Sequence, residues 1–272
     1  KIEFEIVFSS YDFGTEQRTK RLVEYGFTEE DRRNLVENLK EVTEDAVLNY
    51  EKILEEDMES LRKLEKIRGR EEDLLHHDKA TLHQIMQAVQ SLRAGLQHYG
   101  TPQFARQARM AFMARAFLRS LTENGPEGQK KNGGQTWFCQ EDTDAFMQSI
   151  STVSTEFEKD FRAFSLDEIS RAEFNRKYGH LRVGTYDIRT ERYDQMNFRP
   201  GPSRSQRKPV PREDALNLDR LTQAIEEAGL HVTAKQLLHF IRHAIEEREY
   251  FKFEFTKSLS LILELLVRAG AM

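Results

Sequence analysis

The run TEEDRRNLVENLKEVTEDAVLNYEKI, residues 28–53, decides the fold class. Its apolar and aromatic residues Leu35, Leu39, Val42, Ala46, Tyr50 and Ile53 are spaced by four, three, four, four and three. That rhythm follows the 3.6-residue turn of an α-helix and lays one stripe along one face, with charged residues around the rest. Thr28 with Asp31 has the pattern of a capping box, Asp standing in for the usual Glu. The helix is predicted to run to about Ile67. Upstream, Gln17–Tyr25 reads as a short helix ended by Gly26. Before it, Ile2, Phe4 and Ile6 alternate with Glu3 and Glu5, which predicts a short strand over residues 2–8.

Downstream the helical reading continues. A second long helix is expected over 72–98, and a third over Gln103–Glu123, with Thr101 as cap and Pro102 at the first helical position. Small Ala105, Ala108, Ala111 and Ala114 let another element approach closely, which places the third helix centrally. Further helices are expected at Glu141–Ala163, Leu166–Lys177, Asn217–Ala228 and Thr233–Ala269, with Gly229 separating the last two. Residues 124–136 have the composition of a mobile loop. Residues 199–212 hold four of the six prolines and five basic residues without an acid, the composition of a solvated linker rather than a contact for an acidic partner. The fold expected is therefore mainly α, an elongated multi-helix domain with long antiparallel helices and a short N-terminal strand. Residues 1–198 form its first part, and residues 213–272 a C-terminal helical pair packing back on it.

Composition excludes several classes. Net charge is -5 and the isoelectric point about 6.0, which argues against nucleic-acid binding by bulk positive charge. Cys139 is the only cysteine; it rules out an internal disulfide and a Cys-rich zinc site, and fits a reducing, cytoplasmic setting. Beside Trp137 and Phe138 it reads as a packed thiol. No apolar run approaches the roughly 20 residues of a membrane span, and residues 1–7 lack the apolar core of a signal peptide. The chain starts at Lys rather than Met, so a piece of something longer is expected. Walker, Gly-x-Gly-x-x-Gly and Gly-x-Ser-x-Gly patterns are absent. His239 and His243, four apart on a helix, lack the adjacent Glu and third ligand of a zinc helix, so no metal is expected. His76, His77 and His83 read as surface.

One stretch breaks the helical pattern: Tyr178-Gly179-His180-Leu181-Arg182-Val183-Gly184-Thr185-Tyr186-Asp187-Ile188. Two glycines bracket a His and an Arg, and are expected to supply backbone angles for a sharp turn. His180, Arg182, Tyr186, Asp187, Arg189 and Arg192 gather an acid–base group, forked cations, a phenol and a carboxylate in one segment. An alternative stands beside this reading. Arg182, Arg189 and Arg192 nearly balance Asp187, Glu191 and Asp194, as in a self-satisfied ion-paired turn with His180 a core histidine.

The same stretch, with Arg192-Tyr193-Asp194, resembles the central region of enzymes related to phosphoenolpyruvate synthase and pyruvate phosphate dikinase, most similarly the branch that includes L-glutamine kinase. Three further blocks agree in order: Ser10-Tyr11-Asp12-Phe13-Gly14-Thr15; Phe104-Ala105-Arg106-Gln107-Ala108-Arg109 with Ala111-Phe112-Met113-Ala114; and Arg248-Glu249-Tyr250-Phe251-Lys252-Phe253 with Phe255-Thr256-Lys257. The family pattern has Pro where Val183 stands, so the turn loses a fixed backbone angle. The resemblance implies a middle domain between an ATP-grasp module and a swivelling phosphohistidine domain of the same enzyme. ATP and Mg would belong to the full-length enzyme, with no cofactor in this segment, which alone would be inactive. The acceptor would be a small molecule, an amino acid or carboxylate; neither nucleic acid nor membrane is implied. Arg109, Arg182 and Arg248 are the expected clamp for its carboxylate and the transferring phosphoryl group. His180 or Asp187 is the expected proton acceptor. Tyr11, Asp12, Tyr186, Arg189 and Lys252 complete the substrate-binding set. The competing expectation is a non-catalytic helical scaffold or interaction module.

Overall fold

In a computed structural model the chain is described over residues 9–75, 77–125, 136–196, 212 and 214–272. These residues are mainly α-helical; among them there is no strand, only one isolated antiparallel bridge between Arg182 and Arg192. The helices are α1 (Thr15–Thr19), α2 (Arg21–Glu24), α3 (Glu29–Leu48), α4 (Tyr50–Glu72), α5 (Leu82–Tyr99) and α6 (Thr101–Glu123). They continue with α7 (Gln140–Ser149), α8 (Val153–Ser165), α9 (Arg171–Tyr178), α10 (Leu218–Ala228) and α11 (Ala234–Gly270). The strand expected over 2–8, most of the 124–136 loop, nearly all of the 199–212 linker and His76 lie outside the described residues.

Local chemistry sets the helix ends. Thr28 and Asp31 close a reciprocal capping box on α3, and Thr233 does the same with Gln236 ahead of α11. Asn217 caps α10, which stops at Gly229 with φ +66°; Gly26, at φ +91°, follows α2. Within spans expected to be single helices, further caps interrupt the chain. Thr81 and Gln84 form a box that starts α5 at Leu82 rather than near residue 72. Thr152 with Thr155 separates α7 from α8, and Ser170 with Glu173 starts α9. The first long helix breaks at Asn49 into α3 and α4.

The buried face of α3 is also turned from the expected one. Leu39, Ala46 and Tyr50 are buried, but Val42 is 57% exposed while Val36, Thr43 and Val47 face inward. Hydrophobicity alone favoured Val42. Thr43 goes inside because its hydroxyl accepts a 2.8 Å hydrogen bond from the Tyr11 amide.

The chain divides into two compact units, each assembled from three separated segments. The first comprises Lys1–Ile53, Ala108–Ile150 and Arg207–Ile245, the second Leu54–Gln107, Ser151–Gln206 and Glu246–Met272. This differs from the contiguous division drawn at the linker, because α4, α6 and α11 each contribute residues to both units.

In the first unit α6 supplies buried Ala111, Ala114, Phe117, Leu118 and Leu121. The start of α11 packs on the start of α4 through an edge-on Tyr50–Phe240 contact. Trp137 and Phe138 are buried, their amides bonding to the Asn124 and Leu121 carbonyls. Cys139 is exposed instead of packed: it sits at the N-cap of α7, and its thiol donates to Asp142 at 3.0 Å. The second unit has an aliphatic cluster of α5 with the end of α11 (Ile85, Leu92, Leu261, Leu265). A second cluster joins Leu61 and Leu64 of α4 to Leu96 and Phe251. Among the described residues, no helix is long and apolar enough to cross a membrane.

Candidate functional site

The glycine-bracketed segment lies in the second unit and emerges from α9. Phe174 and Tyr178 of that helix are buried in an aromatic group with Phe157, Phe161 and Phe164. The Tyr178 hydroxyl donates to Asp160 at 2.8 Å. Burial and that bond push its pKa up to about 12, so the phenol stays protonated and keeps donating. The chain then folds into a narrow loop. The Tyr193 and Asp194 amides donate to the carbonyls of Leu181 and Gly179, and the Arg182–Arg192 bridge closes the neck. Thr190 Oγ1 stands 2.9 and 3.1 Å from the Asp187 and Gly184 carbonyls and pins the tip.

The glycines act differently from the expectation. Gly179 has φ -57°, an ordinary helical value, and no positive φ occurs at Gly184. Close approach requires Gly179: a Cβ there would stand 2.4 Å from the Asn175 carbonyl oxygen and 3.0 Å from Asp194 Cβ.

Arg182 is the centre of the loop. Its guanidinium donates to the Thr190 carbonyl and to Glu264 of α11, and its side chain is 2% exposed against 15% for Glu264. Gln195 holds the other Glu264 oxygen at 2.7 Å. At the rim, Arg192 pairs with Asp194 and Arg189 with Asp187. The Arg189 bond holds the Asp187 carboxyl below its usual pKa. Tyr186 is 73% exposed at the tip.

His180 sits beneath the loop with its ring edge-on to Phe253 at 4.7 Å. Its buried Nε2 has no hydrogen-bond partner among the described residues. Burial, reinforced by Lys257, Arg192 and Arg68, lowers its pKa to about 3. The sequence reading missed two of these cations, Arg68 and Lys257, and the carboxylate they share. Buried Glu254 receives Arg68 at 3.0 Å and also pairs with Lys257. The available signal was Glu254 and Lys257 one turn apart inside an aromatic run, and Glu264 inside an aliphatic one.

A pH dependence follows. A histidine held neutral in the fold and ordinary when unfolded makes the unfolded chain the better proton binder below about pH 6.5. Its stabilising contribution is complete above that pH and is lost as the pH falls towards the folded value of about 3. We expect about 2 kcal/mol of unfolding free energy to disappear between pH 6.5 and 5, and His180→Asn to flatten that slope. Urea titrations of both proteins at the two pH values check this; parallel slopes would contradict it.

The remaining predicted residues are placed as follows. Arg248 is half-buried in the second unit and pairs with its neighbour Glu249, while Lys252 is exposed. Arg109, Tyr11 and Asp12 belong to the first unit. Arg109 is exposed, so the partner a buried arginine would need is not required. Tyr11 is buried, which raises its pKa. Asp12 accepts from Arg18 at 2.9 and 2.8 Å and from the Gly14 amide at 2.8 Å. His239 lies against Glu51 and its ring against His243; among the described residues no three such side chains gather as a metal site. Comparison of the chain with protein-family models, curated proteins and solved structures gives no match.

Proposed function

We propose that this chain is the acceptor-binding part of a larger ATP-dependent phosphotransferase of the phosphoenolpyruvate synthase kind, akin to an amino-acid or glutamine kinase. It would work in the cytoplasm on a small amino acid or carboxylate. ATP and Mg would be held by an ATP-grasp module, and the phosphoryl group delivered by a phosphohistidine on a swivelling domain. The four ordered sequence blocks support this reading. The observation that carries it is His180: its buried Nε2 has no hydrogen-bond partner among the described residues, and it feels the charges of Lys257, Arg192 and Arg68. An acceptor carboxylate or phosphoryl group entering there would compete with Glu254 and Asp194 for these cations. Its negative charge would raise the imidazole pKa towards the range in which it takes a proton from the acceptor.

A second reading, a non-catalytic helical scaffold, is favoured by a separate observation. Arg182, Arg189, Arg192 and Arg248 each already face a carboxylate of the second unit. Calorimetric titration of the chain with small amino acids, amides and keto acids separates the two. The acceptor-site reading expects saturable binding of one class, weakened at least about tenfold, or about 1.4 kcal/mol, by His180→Asn and by Arg189→Gln, with helix content unchanged. Silence across the whole panel, or affinity indifferent to both substitutions, leaves the scaffold.

A further inference from the structure

A groove of about 790 Å³ opens on α4 in the second unit, and none of the residues of the glycine-bracketed loop lines it. Lys63, Lys66 and Arg70 line it. At positions i, i+3 and i+7 they fall on one face of the helix and span about 10 Å along its axis. Tyr99 of α5 forms part of its wall, with Lys63 Nζ 5.9 Å from the ring centroid. Gly69 contributes no side chain, and a Cβ there would meet nothing within 4 Å.

The charge balance of this groove departs from that of the chain. Three cations face one lining carboxylate, Asp73, in a protein of net charge -5. Lys63 shares its charge with Glu59 at 3.2 Å, whereas Lys66 and Arg70 pair with no carboxylate among the described residues. An ammonium and a guanidinium fork set one turn apart suit several phosphate oxygens held together. The overall negative charge opposes a long polyanion such as nucleic acid, whose binding draws on many cations at once.

We infer that this groove is a binding site for a di- or triphosphate group, with Lys66 and Arg70 as its principal contacts and Lys63 and Tyr99 closing one side. This site is independent of the function proposed above. The phosphate chain belongs either to an inorganic polyphosphate or to a nucleotide, in which case Tyr99 offers its ring to the base.

Calorimetry of the full chain at physiological ionic strength tests this with pyrophosphate, tripolyphosphate, ATP and adenosine. Pyrophosphate is expected to bind saturably, and the double variant Lys66→Gln/Arg70→Gln to lose at least about tenfold in affinity. Lys79→Gln, which removes an exposed lysine that does not line the groove, is expected to stay within about twofold, since an exposed charge without direct contact contributes little. ATP binding tighter than tripolyphosphate assigns the nucleotide; equal affinities with silent adenosine assign the phosphate chain alone. Absence of saturable binding by all four ligands overturns the proposal. So does a double variant that binds like the parent, or an equal loss in Lys79→Gln. Lysine, arginine and glutamine have similar helix propensities, so far-UV circular dichroism should show an intact α4 in each variant.

Discussion

Arg182→Ala is expected to lower the unfolding free energy by about 3–5 kcal/mol. An exposed ion pair contributes roughly 0–1 kcal/mol, because water already screens both partners. Arg182 is not in that regime, its side chain being 2% exposed and that of its partner Glu264 15%. Truncation strands two groups at once. The Thr190 carbonyl loses its donor, and Glu264 keeps only the Gln195 amide. Arg182→Lys should recover part of the loss, since a single ammonium cannot span both acceptors in the geometry of the fork. Glu264→Gln should cost less than Arg182→Ala, because the amide oxygen still accepts while the guanidinium retains Thr190. Urea denaturation with an unchanged dependence on denaturant checks the order; a loss below about 1 kcal/mol for Arg182→Ala would show that the pair is solvated. The same substitution perturbs the loop itself, so a change in activity on replacing Arg182 would not by itself report a catalytic role.

Phe174→Ala is expected to cost a similar amount, about 3–5 kcal/mol, by a different mechanism. Phe174 is 1% exposed. It stacks on Phe164 with centroids 5.1 Å apart, and meets Tyr178 at 5.1 Å, Phe157 at 5.8 Å and Phe161 at 6.0 Å. Removing the ring leaves a cavity walled by four other rings, whose positions on α8 and α9 prevent full collapse. Phe174→Leu should lose less, because much of the volume is kept. Phe157→Ala should also lose less, as Phe157 is only half-buried. Differential denaturation of the three variants checks this ranking; equal losses would mean that α9 unfolds locally before the cavity is felt. The cluster also bears on the loop. Tyr178 is the last residue of α9, and Gly179 and His180 take their positions from it.

Backbone groups with a partner one turn away could be read from the sequence. Thr28 with Asp31, Gly229, Gly26 and Thr233 each act where their residue types indicated, because a cap or a left-handed residue is chosen by its own few neighbours. Mainly helical structure followed from the same short-range rhythm. The Thr81 and Gln84 box has the same local character. What the tertiary structure alone decided concerns partners far apart in the chain: Glu264 for Arg182, 82 residues away, and Glu254 for Arg68, 186 residues away. Burial of Thr43 in place of Val42 is of the same kind, set by the Tyr11 amide 32 residues upstream. Whether an arginine is available to a ligand or consumed by a carboxylate depends on which helix face meets it. Helical periodicity fixes a face only to within about one residue in 3.6, and the pairing of charges is settled when the faces meet.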